Sequence, residues 1–255
     1  MKQLNLGAQL YSLRNYTKTA EDFRETMRKC RDIGYKWVQV SGVGAEVTPE
    51  VIKAAIDETG IKVILTHYSK LDQIINNTEE VIAIHESFGC DYIGVGGMGD
   101  HSEEGYKKFA ADIAPAVEKI KAAGKTFLYH NHAKEFIKYG DKYGLDIICE
   151  NTDPEGVKLT LDTYWATYAG EDAAAIINRY GKRIAVTHFK DMQIKNGEKT
   201  MTEMLTGIID YDPIIKACED NDIIWNFIEQ DTIYIDEFES MKISHDNMKA
   251  RYNMI

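Results

Sequence analysis

Short apolar runs alternate along the chain with longer stretches in which apolar residues recur at helical spacing. The runs predict strands at Leu6–Leu10, Trp37–Val40, Val63–Thr66, Tyr92–Val95, Thr126–His130, Lys158–Asp162, Ile184–His188 and Trp225–Glu229. The stretches between them predict helices. Thr19–Ile33 carries Phe23, Met27 and Cys30 on one face and stops before Gly34. Pro49–Thr59 follows Thr48, a suitable N-cap, with proline at the first helical position. Thr78–Phe88 and Glu103–Ala123 each end on a glycine, Gly89 and Gly124, suited to a left-handed cap, and Gly60 and Gly181 hold the same place in their own units. Phe238–Met254 predicts a closing helix, and Asp191–Tyr211 a long loop after the seventh strand. Strand starts recur roughly every 30 residues, the size of one βα unit with its loops.

Eight such units make an α/β fold of one kind, a single (β/α)8 TIM barrel, and the 255 residues match the roughly 250 such a barrel needs. No Pro-rich or Ser-rich linker interrupts the chain, so residues 1–255 read as a single TIM-barrel domain. An open doubly wound sheet would carry a glycine-rich turn after its first strand. The first strand here runs into QLYSLR, and the glycines of GVGGMGD follow the fourth strand without fitting the dinucleotide pattern.

In a parallel barrel the chemistry sits at the C-terminal ends of the strands. Those ends carry, in order, Gln39, His67, His130 with His132, Asp162, His188 with Lys190, and Glu229. In FLYHNHAKEF, alternation along the strand sends His130 and His132 to one side and Asn131 to the other. Two imidazoles at the end of a buried strand call for a metal or a polar ligand. His130, Asp162, His188 and Glu229 belong to four consecutive strands, which run about 5 Å apart in a barrel, so the four can converge on one ion. Imidazole nitrogen with carboxylate oxygen suits a divalent Mn, Zn, Co, Fe or Mg ion better than calcium. Each of these residues also has a plainer use. Asp162 can cap the following helix, His67 can be a hydrogen-bonded strand end, and Trp165, Tyr164 and Tyr168 can be core packing. His85 in mid-helix, His101 in a loop and His245 on the closing helix are expected to face solvent.

Composition narrows the partners. A net charge of −11 argues against a nucleic-acid scaffold. No apolar run approaches the roughly 20 residues that span a bilayer, and the N-terminus lacks the pattern of a signal peptide. The four cysteines are far apart, form no CxxC pair and read as reduced thiols of a cytoplasmic protein. A small-molecule substrate is expected, with no nucleic acid and no membrane; the sequence allows a homo-oligomer.

Taken together, GAQLYSLR, GYKWVQV, YHNHAKEF, LTLDTYWATYAG, VTHFKDM and FIEQD, in that order over essentially the whole chain, resemble the xylose-isomerase-like TIM barrels of the sugar phosphate isomerase/epimerase family. The resemblance implies a divalent metal held by His130, Asp162, His188 and Glu229. It also shows two departures: His130 stands where well-understood epimerases of the family have Glu, and Gln39 where many relatives have Glu.

The expected activity is that of an isomerase or epimerase acting on a sugar, keto-sugar or cyclitol through an enediolate. Glu229 is the expected base, His132 or Glu135 returns the proton, and Lys190 faces a developing oxyanion. His67, Gln39, Glu135, Trp165 and Asp191 are expected to bind substrate. The alternatives are a lyase of the inosose-dehydrating or 3-keto-glycoside-cleaving type, which shares the enolate step, and a degenerate sugar-binding protein.

Overall fold

The computed structural model describes residues 3–255. Eight parallel strands close into a barrel: β1 Asn5–Gln9, β2 Trp37–Ser41, β3 Lys62–His67, β4 Tyr92–Val95, β5 Thr126–His130, β6 Val157–Asp162, β7 Ile184–Phe189 and β8 Trp225–Ile228. Hydrogen-bonded neighbours follow chain order around the ring, and β8 pairs back onto β1. The helices are α1 Ala20–Ile33, α2 Pro49–Thr59, α3 Leu71–Asn76, α4 Thr78–Ser87, α5 Glu103–Ala122, α6 Gly144–Glu150, α7 Thr163–Tyr168, α8 Ala173–Tyr180, α9 Tyr211–Asp220 and α10 Glu237–Tyr252. Among the described residues, no helix is long and apolar enough to cross a membrane.

The barrel interior is packed rather than hollow. Leu65, Leu128, Val186 and Phe227 form a buried layer inside it. Gly7 on β1 makes room for Phe227, since a Cβ at that position would lie 2.3 Å from the Phe227 ring. Trp37 and Trp225, at the starts of their strands, meet edge to face at 5.5 Å against this layer. With the interior filled by apolar side chains, the polar strand ends are confined to the opposite, C-terminal rim. Helix starts follow local chemistry. The side chains of Thr19, Thr48 and Ser102 each accept an N–H from the first turn of α1, α2 and α5.

Two expectations need correction. The segment after β7 is not an irregular loop. Asp191–Lys195 and Glu198–Thr202 pair as an antiparallel hairpin, and α9 begins at Tyr211. Asn196 and Gly197 form its tip with φ of 54° and 84°, the positive pair that a tight hairpin turn requires and that Asn-Gly supplies readily. Second, His85 and His245 are buried rather than solvent-facing. His85 shares a helical face with Val81 and Phe88, and His245 with Met241 and Met248, so the apolar stripe carries both rings inward. His85 is satisfied there by Thr66 Oγ1 at 2.7 Å and the Val81 carbonyl at 2.7 Å.

Burial lowers the His85 pKa from 6.5 to about 4. Between those values the unfolded chain takes up a proton that the folded ring refuses, so stability falls as pH drops through this window. The contribution is on the order of 3 kcal/mol. H85Q should flatten this part of the acid limb when urea unfolding is compared at neutral pH and near pH 5. An unchanged slope would mean that His85 protonates in the folded state as readily as in the unfolded one.

Candidate metal centre

β5, β6, β7 and β8 lie side by side, and their C-terminal ends bring His130, Asp162, His188 and Glu229 to one rim. Asp162 and His188 are partners in register on the β6–β7 ladder. Glu229 follows the last residue of β8, and its N–H donates to the Phe189 carbonyl at 3.1 Å, which keeps it on the ladder. One ligand atom from each of the four residues lies within 4.8 Å of the others, and all four residues are buried. Donors that share one ion at about 2.1 Å lie about 3 to 4 Å apart, so the group would draw in by about 1 Å around an ion.

Each side chain is held by a second group. Asp162 divides its carboxylate: Oδ1 caps α7 by accepting the Trp165 N–H at 3.0 Å, while Oδ2 faces His130 Nε2 at 3.2 Å. The helix cap and the site residue anticipated for Asp162 are therefore one geometry. Asn131 accepts the Asp162 N–H on its Oδ1 at 3.0 Å, which fixes the backbone there. His188 Nε2 lies 2.6 Å from Gln39 Oε1, an oxygen that can only accept, so the ring proton sits on Nε2 and Nδ1 carries a lone pair. That Nδ1 lies 2.8 Å from Glu229 Oε2, yet neither atom makes a hydrogen bond. A nitrogen lone pair beside a carboxylate oxygen is unfavourable unless positive charge lies close to both.

Lys190 supplies part of that charge. Its ammonium, 1% exposed, lies 2.9 Å from Asp162 Oδ2, 2.8 Å from Glu229 Oε2 and 3.1 Å from Asp231 Oδ2. Three carboxylates against one ammonium leave a surplus of two negative charges, the complement of a divalent cation. Burial alone would raise the Glu229 carboxyl, but the groups around it, the Lys190 ammonium foremost, outweigh burial and hold it well below the usual range. Burial lowers His67 to about 3 and holds His130 well below its ordinary value. Ionised carboxylate and neutral imidazole are the states in which these groups ligate a metal. The donor set and its unpartnered atoms thus fit a divalent ion.

An inner cleft of about 390 Å³ reaches this cluster, lined by His67, His130, His132, Trp165, Glu229 and Asp231 among others. An outer cleft of about 730 Å³ shares His67, Gly96, His132 and Trp165 with it and extends to His101. The His130 and His132 rings lie 4.8 Å apart, and His132 lies 5.4 Å from Trp165.

Four residues expected at the substrate are engaged by protein groups. Gln39 holds His188 through its side-chain oxygen. Glu135 is sealed at 0% exposure, where its carboxylate accepts the Tyr129 hydroxyl and the His132 N–H. Asp191 is equally buried and accepts the N–H groups of Met192, Gly207 and Ile209, which ties the hairpin to the chain that follows it. Lys190 is spent on three carboxylates, so its charge is not free to meet an oxyanion directly. Sequence reasoning missed Asp231 and His101. Asp231 stood in plain view at the end of FIEQD, two residues past Glu229, whereas a histidine in a glycine-rich loop carries no pattern of its own.

H188A should abolish tight binding of a divalent ion. Q39L, which leaves His188 in place but releases its ring, should weaken binding by about 10- to 100-fold. Competition against a chromogenic chelator measures both. Wild-type affinity in Q39L would mean that the Gln39 contact does not organise the site.

A family model for xylose isomerase-like TIM barrels matches residues 27–242. An inosose dehydratase of Clostridium beijerinckii is 28% identical over 156 residues, covering 54% of this chain and 52% of that protein, so the chain spans about half the length of this relative. Among solved structures, a sugar phosphate isomerase/epimerase of Parabacteroides distasonis superposes with a TM-score of 0.83 at 20% identity, covering 100% of this chain and 96% of that one. The IolI protein, solved with a bound zinc atom, superposes with a TM-score of 0.72 at 12% identity, covering 97% of each chain. The match to the family model spans most of the chain, from α1 into α10, and includes the strands that carry the four rim residues; the chain belongs to the xylose isomerase-like TIM barrel family.

Proposed function

We propose that the protein is a metal-dependent enzyme that moves a proton at the carbon beside the carbonyl of a sugar, keto-sugar or cyclitol, and completes the cycle as an isomerase or epimerase. The observation that carries this reading is the pairing of a cation-deficient cluster with unpartnered polar atoms on the same cleft. His67 Nε2 and Trp165 Nε1 are buried without hydrogen-bond partners, and both residues line the inner cleft. Such atoms suit the hydroxyls of a polyol, whose edges are polar and whose faces can rest on an indole ring.

A divalent cation bound by His130, Asp162, His188 and Glu229 supplies Lewis-acid polarisation of a carbonyl and its neighbouring hydroxyl. Glu229 lines the inner cleft and is held ionised, so it is able to accept the proton from carbon. His132 faces the same cleft and is placed to return a proton. Lys190 acts through Asp162, Glu229 and Asp231, maintaining the charge of the base. The zinc of the IolI protein makes zinc a sensible first metal to load. The four cysteines are free and three of them are buried, in keeping with a reducing cytoplasm.

A second reading has support of its own. The Clostridium beijerinckii relative is named an inosose dehydratase, and the inner cleft presents the His132 imidazole as well as the Glu229 and Asp231 carboxylates. A base that takes the α-proton and an imidazole that protonates a departing hydroxyl are what a dehydration needs. The shared first step allows one experiment to separate the outcomes. Metal-loaded protein, incubated in D₂O with a panel of keto-sugars and inososes, should place deuterium at the α carbon of its substrate. Product analysis then reads isomer or epimer for the first reading, and a water-lost product for the second. E229Q should slow deuterium entry by at least about 10²-fold. Exchange at the wild-type rate in E229Q would remove Glu229 as the base.

A further inference from the structure

Glu135 is a fully buried carboxylate that the metal cluster does not use. It lies on the short turn Ala133–Phe136 just after β5. Its Oε2 accepts the His132 N–H at 2.7 Å, and its Oε1 accepts the Tyr129 hydroxyl at 2.7 Å. Its remaining contact is His101 Nε2, 3.3 Å from Oε1. A carboxylate removed from water is costly unless polar groups surround it; here hydrogen-bond donors come from β5 and from His132 at the start of the turn, and the His101 ring approaches from the loop between β4 and α5. A nitrogen lone pair facing a carboxylate oxygen is unfavourable, so this contact favours the His101 tautomer with the proton on Nε2.

His101 is held from other sides as well. Its carbonyl accepts the Tyr139 hydroxyl, and its ring stands edge-on to Tyr106 at 6.0 Å. Tyr106 is in turn fixed by donating to the Lys134 carbonyl at 3.2 Å. Nε2 faces the Glu135 carboxylate, Nδ1 has no protein partner, and the residue lines the outer cleft together with His132 and Trp165. Gly96, Gly97 and Gly99 form part of the same wall; a Cβ at Gly96 would approach the His67 ring and one at Gly97 the His132 ring.

We propose that His101 is a second polar anchor for the substrate. Its Nδ1 accepts a hydrogen bond from a hydroxyl on the part of a polyol that extends past the metal cluster into the outer cleft, and Glu135 is the residue that positions it. The ligand class is a polyhydroxylated chain or ring bearing at least one hydroxyl beyond the carbonyl and hydroxyl held at the cation. The proposal rests on the function proposed above, because it needs a polyol seated in the inner cleft.

The test is side-chain ¹⁵N NMR of histidine-labelled, zinc-loaded protein, first alone and then titrated with inosose and, separately, with fructose. The free protein should show His101 protonated on Nε2 and bare on Nδ1, and E135Q should lose that fixed tautomer. Ligand should move the His101 Nδ1 resonance along with those of His130 and His188, and H101A should weaken binding by about tenfold. A proton on Nδ1, or rapid exchange between tautomers, in the wild-type spectrum overturns the proposal even if E135Q fails to fold. Shifts at His130 and His188 without one at His101 overturn the anchor and leave the proposed function standing. A titration that moves none of the three imidazoles overturns both.

Discussion

Asp162 and Glu229 are carboxylates buried at the rim of a closed barrel with too little positive charge beside them. Little of either carboxylate meets water, so the surrounding protein must supply most of the compensation. Lys190 answers part of the demand from one side, and His130 and His188 point ring nitrogens at the same oxygens. With Asp231 as a third carboxylate on the same ammonium, the remaining imbalance is a surplus of negative charge that a divalent cation complements. The inner cleft opens onto this excess charge.

The barrel makes such a concentration of charge tolerable. Parallel strands in register put Asp162 opposite His188 without any long-range search, and the packed layer around Phe227 gives the rim a rigid base. Gln39, two strands beyond β8 around the ring, fixes which nitrogen of His188 carries the proton. A ring whose tautomer is chosen by a buried amide enters metal binding with its lone pair already aimed, and little reorganisation is left to do.

The strands were legible in the sequence as short apolar runs, and the polar residues that close four of them, His130, Asp162, His188 and Glu229, form the cluster. The helices α1, α2, α4, α5 and α10 were legible from their apolar spacing, from caps such as Thr48 and from terminal glycines. Other features were visible but underused. Asn196-Gly197 marks a hairpin, and the spacing of His85 from Val81 and Phe88 marks an inward face. The duties of Glu135, Asp191 and Lys190 were not legible. Each depends on which hydrogen-bond partners the fold brings within 3 Å or so, and a carboxylate that orients a loop has the same letter as one that meets a substrate. His101 illustrates the limit. Its significance comes from a partner in another βα unit, and no local pattern announces it.

Anomalous diffraction from crystals of the zinc-loaded protein, collected at the zinc edge, tests the central claim most directly. One strong peak should lie about 2.0–2.2 Å from His188 Nδ1, Asp162 Oδ2, Glu229 Oε2 and a ring nitrogen of His130, with His188 Nε2 still on Gln39. A peak elsewhere, or zinc bound without His188 or Asp162, would contradict the account.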